Sequence, residues 1–325
     1  MKRVYLVTFA LLVVGWQGQA VWATTDCTFS AVGATMFLDD DCTTDATILI
    51  PDGMTLDGKG HMITAVDPAG GFKGAVVGSG GSTAHVTHLT VTASGLANAC
   101  KSGGDRLRGI MFEGAGGSIT HCTVAGINKG ASGCQEGNAI EVRNAPYDGT
   151  HPGTVTAELA HNTVIDWQKT GIVANGDVNI SIHHNKVYES ATQANLAANS
   201  IQFGFGALGI ATLNYVEGNQ WEGWSPASDF AASAILTFNA DVVKVSKNNI
   251  RGNSDVGLFI VSDFGVYHNN RVFDSGADLG GYDVGVWDSG DNVVAGNKVR
   301  GFDDPYLGVD PGGNNKVIPG PQIYK

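Results

Sequence analysis

Asn162-Thr163-Val164, then Gly171-Ile172-Val173-Ala174, then Asn185-Lys186-Val187: this short succession decides the fold. An Asn, any residue, and a β-branched or aromatic residue return at Asn219-Gln220-Trp221, Asn248-Asn249-Ile250, Asn270-Arg271-Val272, Asn297-Lys298-Val299 and Asn315-Lys316-Val317. Leu89 and Cys122 hold the Asn slot in two earlier copies, and from Leu89 the steps are 33, 40, 23, 34, 29, 22, 27 and 18 residues. A second series, Gly109, Ala139, Gly171, Ser200, Ala234, Gly257 and Gly285, runs out of phase with the first, each member followed by an apolar residue. Two independent markers on one irregular period predict a solenoid, in which each repeat stacks on its neighbours to bury its apolar face.

Between the markers lie short segments rich in Val, Ile, Thr and Phe with period-2 alternation, separated by polar turns, which is the signature of strands. In Ile172-Val173-Ala174, Ile201-Gln202-Phe203 and Leu258-Phe259-Ile260 the outer two residues face one way and the middle one the other. No segment after residue 24 carries a long helical apolar stripe, so the expected class is all-β. A repeat of this size holds three short strands plus turns, which predicts a parallel β-helix of about 9–11 coils. The Asn column has a physical reason: an amide repeated at one corner of every coil donates to and accepts from its own copies, whereas a lone buried Asn would cost a few kcal/mol.

With the opening Thr55-Leu56-Asp57-Gly58-Lys59-Gly60-His61-Met62-Ile63, the Asn corner and the Gly-Ile-x-Val type strand resemble the right-handed parallel β-helix proteins of the pectin-lyase-like superfamily. The resemblance covers about residues 48 to 318. It implies an Asn corner between the second and third sheets, and a long loop from the third sheet into the first, where substrate clefts of the superfamily usually form. The motifs speak for the fold and hardly for activity. Arg-x-Pro-x-x-Arg of the pectate lyases, Asn-Thr-Asp of the polygalacturonases and Asp-Pro-His-Glu of the alginate epimerases do not occur.

Residues 1–23 read as a secretory signal, with Lys2 and Arg3, an apolar run from Val4 to Val14, and Val21-Trp22-Ala23 at the cleavage positions. Residues 24–325 form a single domain. Removing the signal takes away two positive charges and no acid, moving the formal balance from −12 to −14. Such an acidic chain argues against nucleic acid or an anionic membrane as the main partner. The five Cys suit an oxidising, secreted setting, extracellular or periplasmic. Cys27 and Cys42 flank the first strand pair, Cys100 and Cys134 sit in consecutive loops of one class, and pairing each couple would staple the end and two neighbouring coils. Cys122, in an Asn slot, should be buried and unreactive.

Reading outward from the first-sheet strands gives two columns: Met111, Glu141, Val173, Gln202, Leu236, Phe259, Trp287, and Glu113, Arg143, Asn175, Gly204, Phe238, Val261, Ser289. The early coils should present a charged cluster of Glu113, Glu141 and Arg143, with Arg106, Arg108 and Lys129 in adjoining loops, Lys169 one coil on, and His151 in an inserted corner, residues 145–153. Carboxylates beside Arg and Lys can neutralise a uronate and move a proton, as lyases and epimerases require, although an ion-pair network solvating the sheet uses the same residues. The later coils present an apolar patch, either covered by the loops 222–233 and 273–284 or open to a sugar or a second copy of the chain. The stripe His121, His161, His183-His184 and His268 is read as solvated turn residues, and no transition-metal ligand set is assigned.

These readings converge on an extracellular polysaccharide as partner. Glu141, Glu113, Arg143 and Lys169 are the candidate catalytic groups and Gln202, Asn175, Phe259, Trp287 and Arg108 the candidate substrate contacts. Calcium is the one cofactor considered, as a bridge between an acidic chain and a polyanion. The competing expectation is a non-catalytic surface or matrix protein that assembles through the apolar column.

Overall fold

The computed structural model describes residues 25–93, 95–130, 132–147, 153–188, 190, 196–228, 230–274 and 281–317; residues 1–23, expected as a signal, and His151 lie outside them. The backbone winds through three parallel sheets, and each coil visits the first, the second and the third in turn. The first has 10 strands, from Ile48–Ile50 to Asp304–Leu307, and the other two have 11 each. At the N-terminal end Phe29–Val32 pairs antiparallel with Thr35–Leu38, closing an edge that would otherwise template another chain. The Cys27–Cys42 disulfide fastens this closure. Among the described residues no helix is long and apolar enough to cross a membrane.

The core is made of stacked columns. Ile110, Ile140, Ile172, Ile201, Ile235, Leu258 and Val286 line up along the first sheet, and Val91, Val124, Val164, Val187, Val216, Ile250, Val272 and Val299 along the third, all essentially without solvent contact. The small residues of the second series stand where the third-sheet valines reach across. A Cβ on Gly257 would come within 2.4 Å of Val272 Cγ1, and one on Gly285 within 2.3 Å of Val299 Cγ1. A full coil therefore closes only if one side gives up its side chain.

The corner between second and third sheets has two residues in each coil from Thr87 to Lys298. The first lies in the left-handed region, as at His121 (φ 55°), His184 (φ 56°) and Lys247 (φ 57°), and the second is the ladder residue. The ladder runs through Asn162, Asn185, Asn214, Asn248, Asn270, Asn297 and Asn315. Each Oδ1 accepts from the backbone N–H of the preceding ladder residue at 2.9–3.0 Å, beginning with Cys122. Each Nδ2 donates to a second-sheet carbonyl of the coil before, Asn185 to Leu159 at 2.8 Å for example. One member differs from the sequence reading: in the coil through Asn199–Gly204 the ladder residue is Asn214, not Asn219. Asn219 instead donates to Ser200 Oγ and the Ser233 carbonyl, both at 2.8 Å, inside the following loop.

The second disulfide joins Cys100 to Cys134, and Cys122 is free and buried in its ladder slot, where burial pushes its thiol up to about 12. Thiol titration of the native chain should therefore detect no reactive sulfur, and denaturation without reductant should release one. Asn185→Leu should lower stability by about 3 kcal/mol, because it orphans the buried Asn162 N–H and the Leu159 carbonyl together; urea denaturation measures it, and an unchanged midpoint contradicts the ladder.

Candidate functional site

The two outward columns have the register expected: Met111, Glu141, Val173, Gln202, Leu236, Phe259 and Trp287 are successive partners across the first sheet. Their surroundings differ from expectation in the early coils. Glu141, Arg108 and Arg143 are 1%, 2% and 3% exposed, so the charged cluster is a buried network and not a surface one. Arg108 Nε donates to Glu141 Oε2 at 2.5 Å, Asn138 Nδ2 donates to the same oxygen at 3.0 Å, and Arg143 lies 3.8 Å from Oε1. Arg108 also donates to the carbonyl of Arg106 at 2.7 Å, which pins the loop over it. Only Glu113, 3.1 Å from Arg143, reaches solvent. A ligand on the outer face cannot touch Glu141 or Arg108. Lys129 leaves the cluster altogether for a buried pair with Glu136 at 3.1 Å, whose other oxygen accepts from the Lys101 N–H at 2.8 Å beside the Cys100–Cys134 bridge.

The far end of the apolar column, at Phe259 and Trp287, is roofed. Trp224 packs on Trp287 with ring centroids 5.8 Å apart and donates its indole N–H to the Tyr282 carbonyl at 2.8 Å, while Phe259 stacks on Trp287 at 4.8 Å. Buried Asp255 holds the roof from beneath, accepting from the Ala232 and Trp221 N–H groups. Phe259 is buried by this packing and Trp287 half-buried, while Leu236, Phe238 and Val261 of the same column keep partial exposure.

What remains open is a notch between these two covered regions. The connection into Thr170–Asn175 has four residues, whereas the connections before Asn138–Arg143 and Asn199–Gly204 have 12 and 10. The low stretch leaves a cleft of about 270 Å³ whose floor is Val173, Asn175, Gln202, Leu236, Phe238 and Phe259. Asn199 Nδ2 donates to Gln202 Oε1 at 3.2 Å, and Gln202 Nε2 to Asn175 Oδ1 at 3.3 Å, so an amide chain crosses the floor. Tyr147, Phe205 and Phe238 form a continuous aromatic run, with centroids 4.8 and 5.6 Å apart. Lys169 and Arg106 also line the cleft. Burial, and then the Arg106 guanidinium, push the Lys169 ammonium down to about 8. Neither cation pairs with a carboxylate among the described residues, and Lys169 Nζ donates to the Ala197 carbonyl.

Gln202, Asn175, Phe259 and Lys169 thus meet in one cleft as the sequence suggested, while Arg108 and Trp287 do not. Missed in the sequence were Asn138, Asn199, Tyr147, Phe205 and Phe230, which also line it. The first two had a usable signal, an Asn directly before the small-apolar marker; the aromatic residues lie in corners outside any periodic column.

The family model of the right-handed beta helix region matches residues 108–317, well over half of the 325 residues. The chain belongs to the right-handed β-helix family. No curated protein matches the sequence of this β-helix. Among solved structures it is similar to the Dettilon tailspike protein gp208, at 14% identity over 88% of this chain and 55% of that one, with a TM-score of 0.48. It is also similar to a mutant of the periplasmic alginate epimerase AlgG, at 11% identity over 88% and 84% of the two chains, with a TM-score of 0.38. The chain thus spans about half the length of the tailspike chain.

The buried network gives the β-helix a testable signature. Arg108→Met strands the Glu141 carboxylate and should cost about 3–5 kcal/mol, while the double variant Arg108→Met, Glu141→Leu should recover much of it. Urea denaturation of both decides this; equal loss in single and double variants contradicts a coupled pair.

Proposed function

We propose that the cleft binds an extracellular acidic polysaccharide and that Lys169 is the base that removes the proton beside a uronate carboxylate. The observation that carries this reading is the pairing of Lys169 with Arg106 on the wall of a cleft whose described lining has no carboxylate. Two adjacent cations without an acid partner among the described residues favour an anionic guest even on an acidic chain, because the local field counts at contact distance. The aromatic run and the amide floor supply what a sugar needs, apolar faces for its rings and donors and acceptors for its hydroxyls. The described lining offers amide oxygens but no carboxylate to anchor calcium, so in this reading Arg106 takes the neutralising task that a calcium bridge would have.

A lysine held at about 8 is neutral often enough near neutrality to accept a proton, as a general base must. Arg106 stabilises the negative charge that develops on the carboxylate. With the C5 proton on Lys169, the electron pair can form the C4–C5 double bond while the C4 oxygen leaves and takes a proton from water; return of the proton to the opposite face gives epimerisation instead. Hydrolysis by two carboxylates has no counterpart in the described lining. The two disulfides fit a non-cytoplasmic compartment, and secretion places the cleft among such glycans.

Uronate polymers incubated with the protein should yield unsaturated products or altered uronate stereochemistry. The rate should rise as pH passes through about 8, since the neutral amine is the active form. Lys169→Ala should lower kcat at least about 100-fold, whereas Phe205→Ala should act mainly on KM. Binding without turnover would leave a glycan-binding module; binding unaffected by Lys169→Ala and Arg106→Ala would remove the cleft from the function.

A further inference from the structure

The left-handed corner position carries His88, His121, His161 and His184 in four successive coils. Their rings stack with centroids 5.2, 4.9 and 5.0 Å apart and planes within 17° of parallel. The turn does not demand this, since later coils put Leu213, Lys247 and Asn269 in the same backbone conformation. At the end of the stack a second imidazole is added. His183 closes the second-sheet strand of its coil, at a register position held by Ala160 in the coil before and Thr212 in the coil after.

His183 stands edge-on to its neighbour, the two planes crossing at 88°, and its Nδ1 lies 2.9 Å from His184 Nδ1. Its Nε2 lies 3.0 Å from Glu158 Oε1. A carboxylate only accepts, so the Nε2 position carries the hydrogen and the Nδ1 lone pair faces His184. A carboxylate behind a ring whose other nitrogen faces outward is the arrangement that orients metal-bound histidines. Two nitrogens ligating one zinc ion tetrahedrally at its usual bond length stand about 3.3–3.4 Å apart, so the pair, 2.9 Å apart, need open by only about 0.4 Å to hold one. A nitrogen of His161 completes a set in which all three ligand atoms lie within 4.8 Å of one another. The small Ala160 beside His161 leaves no competing side chain on that side.

We infer that His161, His183 and His184, oriented through Glu158, form a surface site for a divalent late transition metal of the zinc class. All three donors are imidazoles, which suit zinc, copper and nickel over calcium or magnesium, and the exposed corner leaves the remaining position to water or an external ligand. The site lies at the corner between the second and third sheets, away from the first-sheet cleft, and is independent of what the cleft does.

Zinc chloride titrated calorimetrically into the tag-free chain should give one ion per chain. His184→Asn keeps the left-handed turn, as Asn269 and Asn314 do, and His183→Thr restores the residue found at Thr120 and Thr212; each should weaken binding at least 100-fold without changing the melting temperature of the metal-free protein. Glu158→Gln should weaken it about tenfold, and His268→Ala should leave it unchanged. Absence of stoichiometric uptake, or uptake that survives both histidine substitutions, overturns the assignment.

Discussion

The hydrogen bonding of one side-chain amide type sets the geometry of the whole solenoid. At the corner between second and third sheets the backbone turns through two residues and leaves an N–H and a carbonyl with no strand partner; the Asn column supplies an acceptor to the first and a donor to the second. Because every amide is fixed by the neighbouring coils, the corner is the same from Ala160 to Lys298. Parallel register then follows in all three sheets, for a corner that repeats without variation cannot let one strand slip against the next. Where the column begins, Cys122 and Leu89 are buried in the slot: Cys122 still donates its N–H to Asn162, and the row of acceptors stops there.

The fold was legible because its markers lie where the backbone is most constrained. The small-residue series predicted the first-sheet strands through steric need, and the Asn series predicted the corner through hydrogen bonding. The one misplaced rung shows the limit of that reading. Asn214-Tyr215-Val216 and Asn219-Gln220-Trp221 satisfy the same pattern five residues apart, and only the left-handed turn at Leu213 tells which amide joins the column. Leucine there carries no sequence cue for such a conformation, so the ambiguity was real at the level of residue types.

The site was less legible for a different reason. Alternation tells which residues point out of a sheet, but not what lies above them. Glu141 and Phe259 both point outward and both are buried, since loops without periodicity cover them. The buried Lys129–Glu136 pair and the Asp255 support under the aromatic roof belong to those loops and had no pattern to announce them. Lys169 could be placed at the mouth of the first sheet, yet its lack of a carboxylate partner among the described residues depends on where Glu141 and Glu136 spend their charge, and that is a property of packing.

The contrast between the two-residue corner and the unequal connections on the other side has an evolutionary consequence. From Ala93 to Asp304 the links into the first sheet run from 3 to 15 residues, and a change in their length alters only the height of the wall above one coil. A single residue gained or lost at the Asn corner would shear the column and move every inward side chain of that strand to the outside. Insertions and deletions are therefore tolerated along one seam of the cylinder and lethal along another. Descendants of such a chain can remodel the contour of the cleft, deepening, narrowing or relocating the notch, while inheriting an unchanged spine.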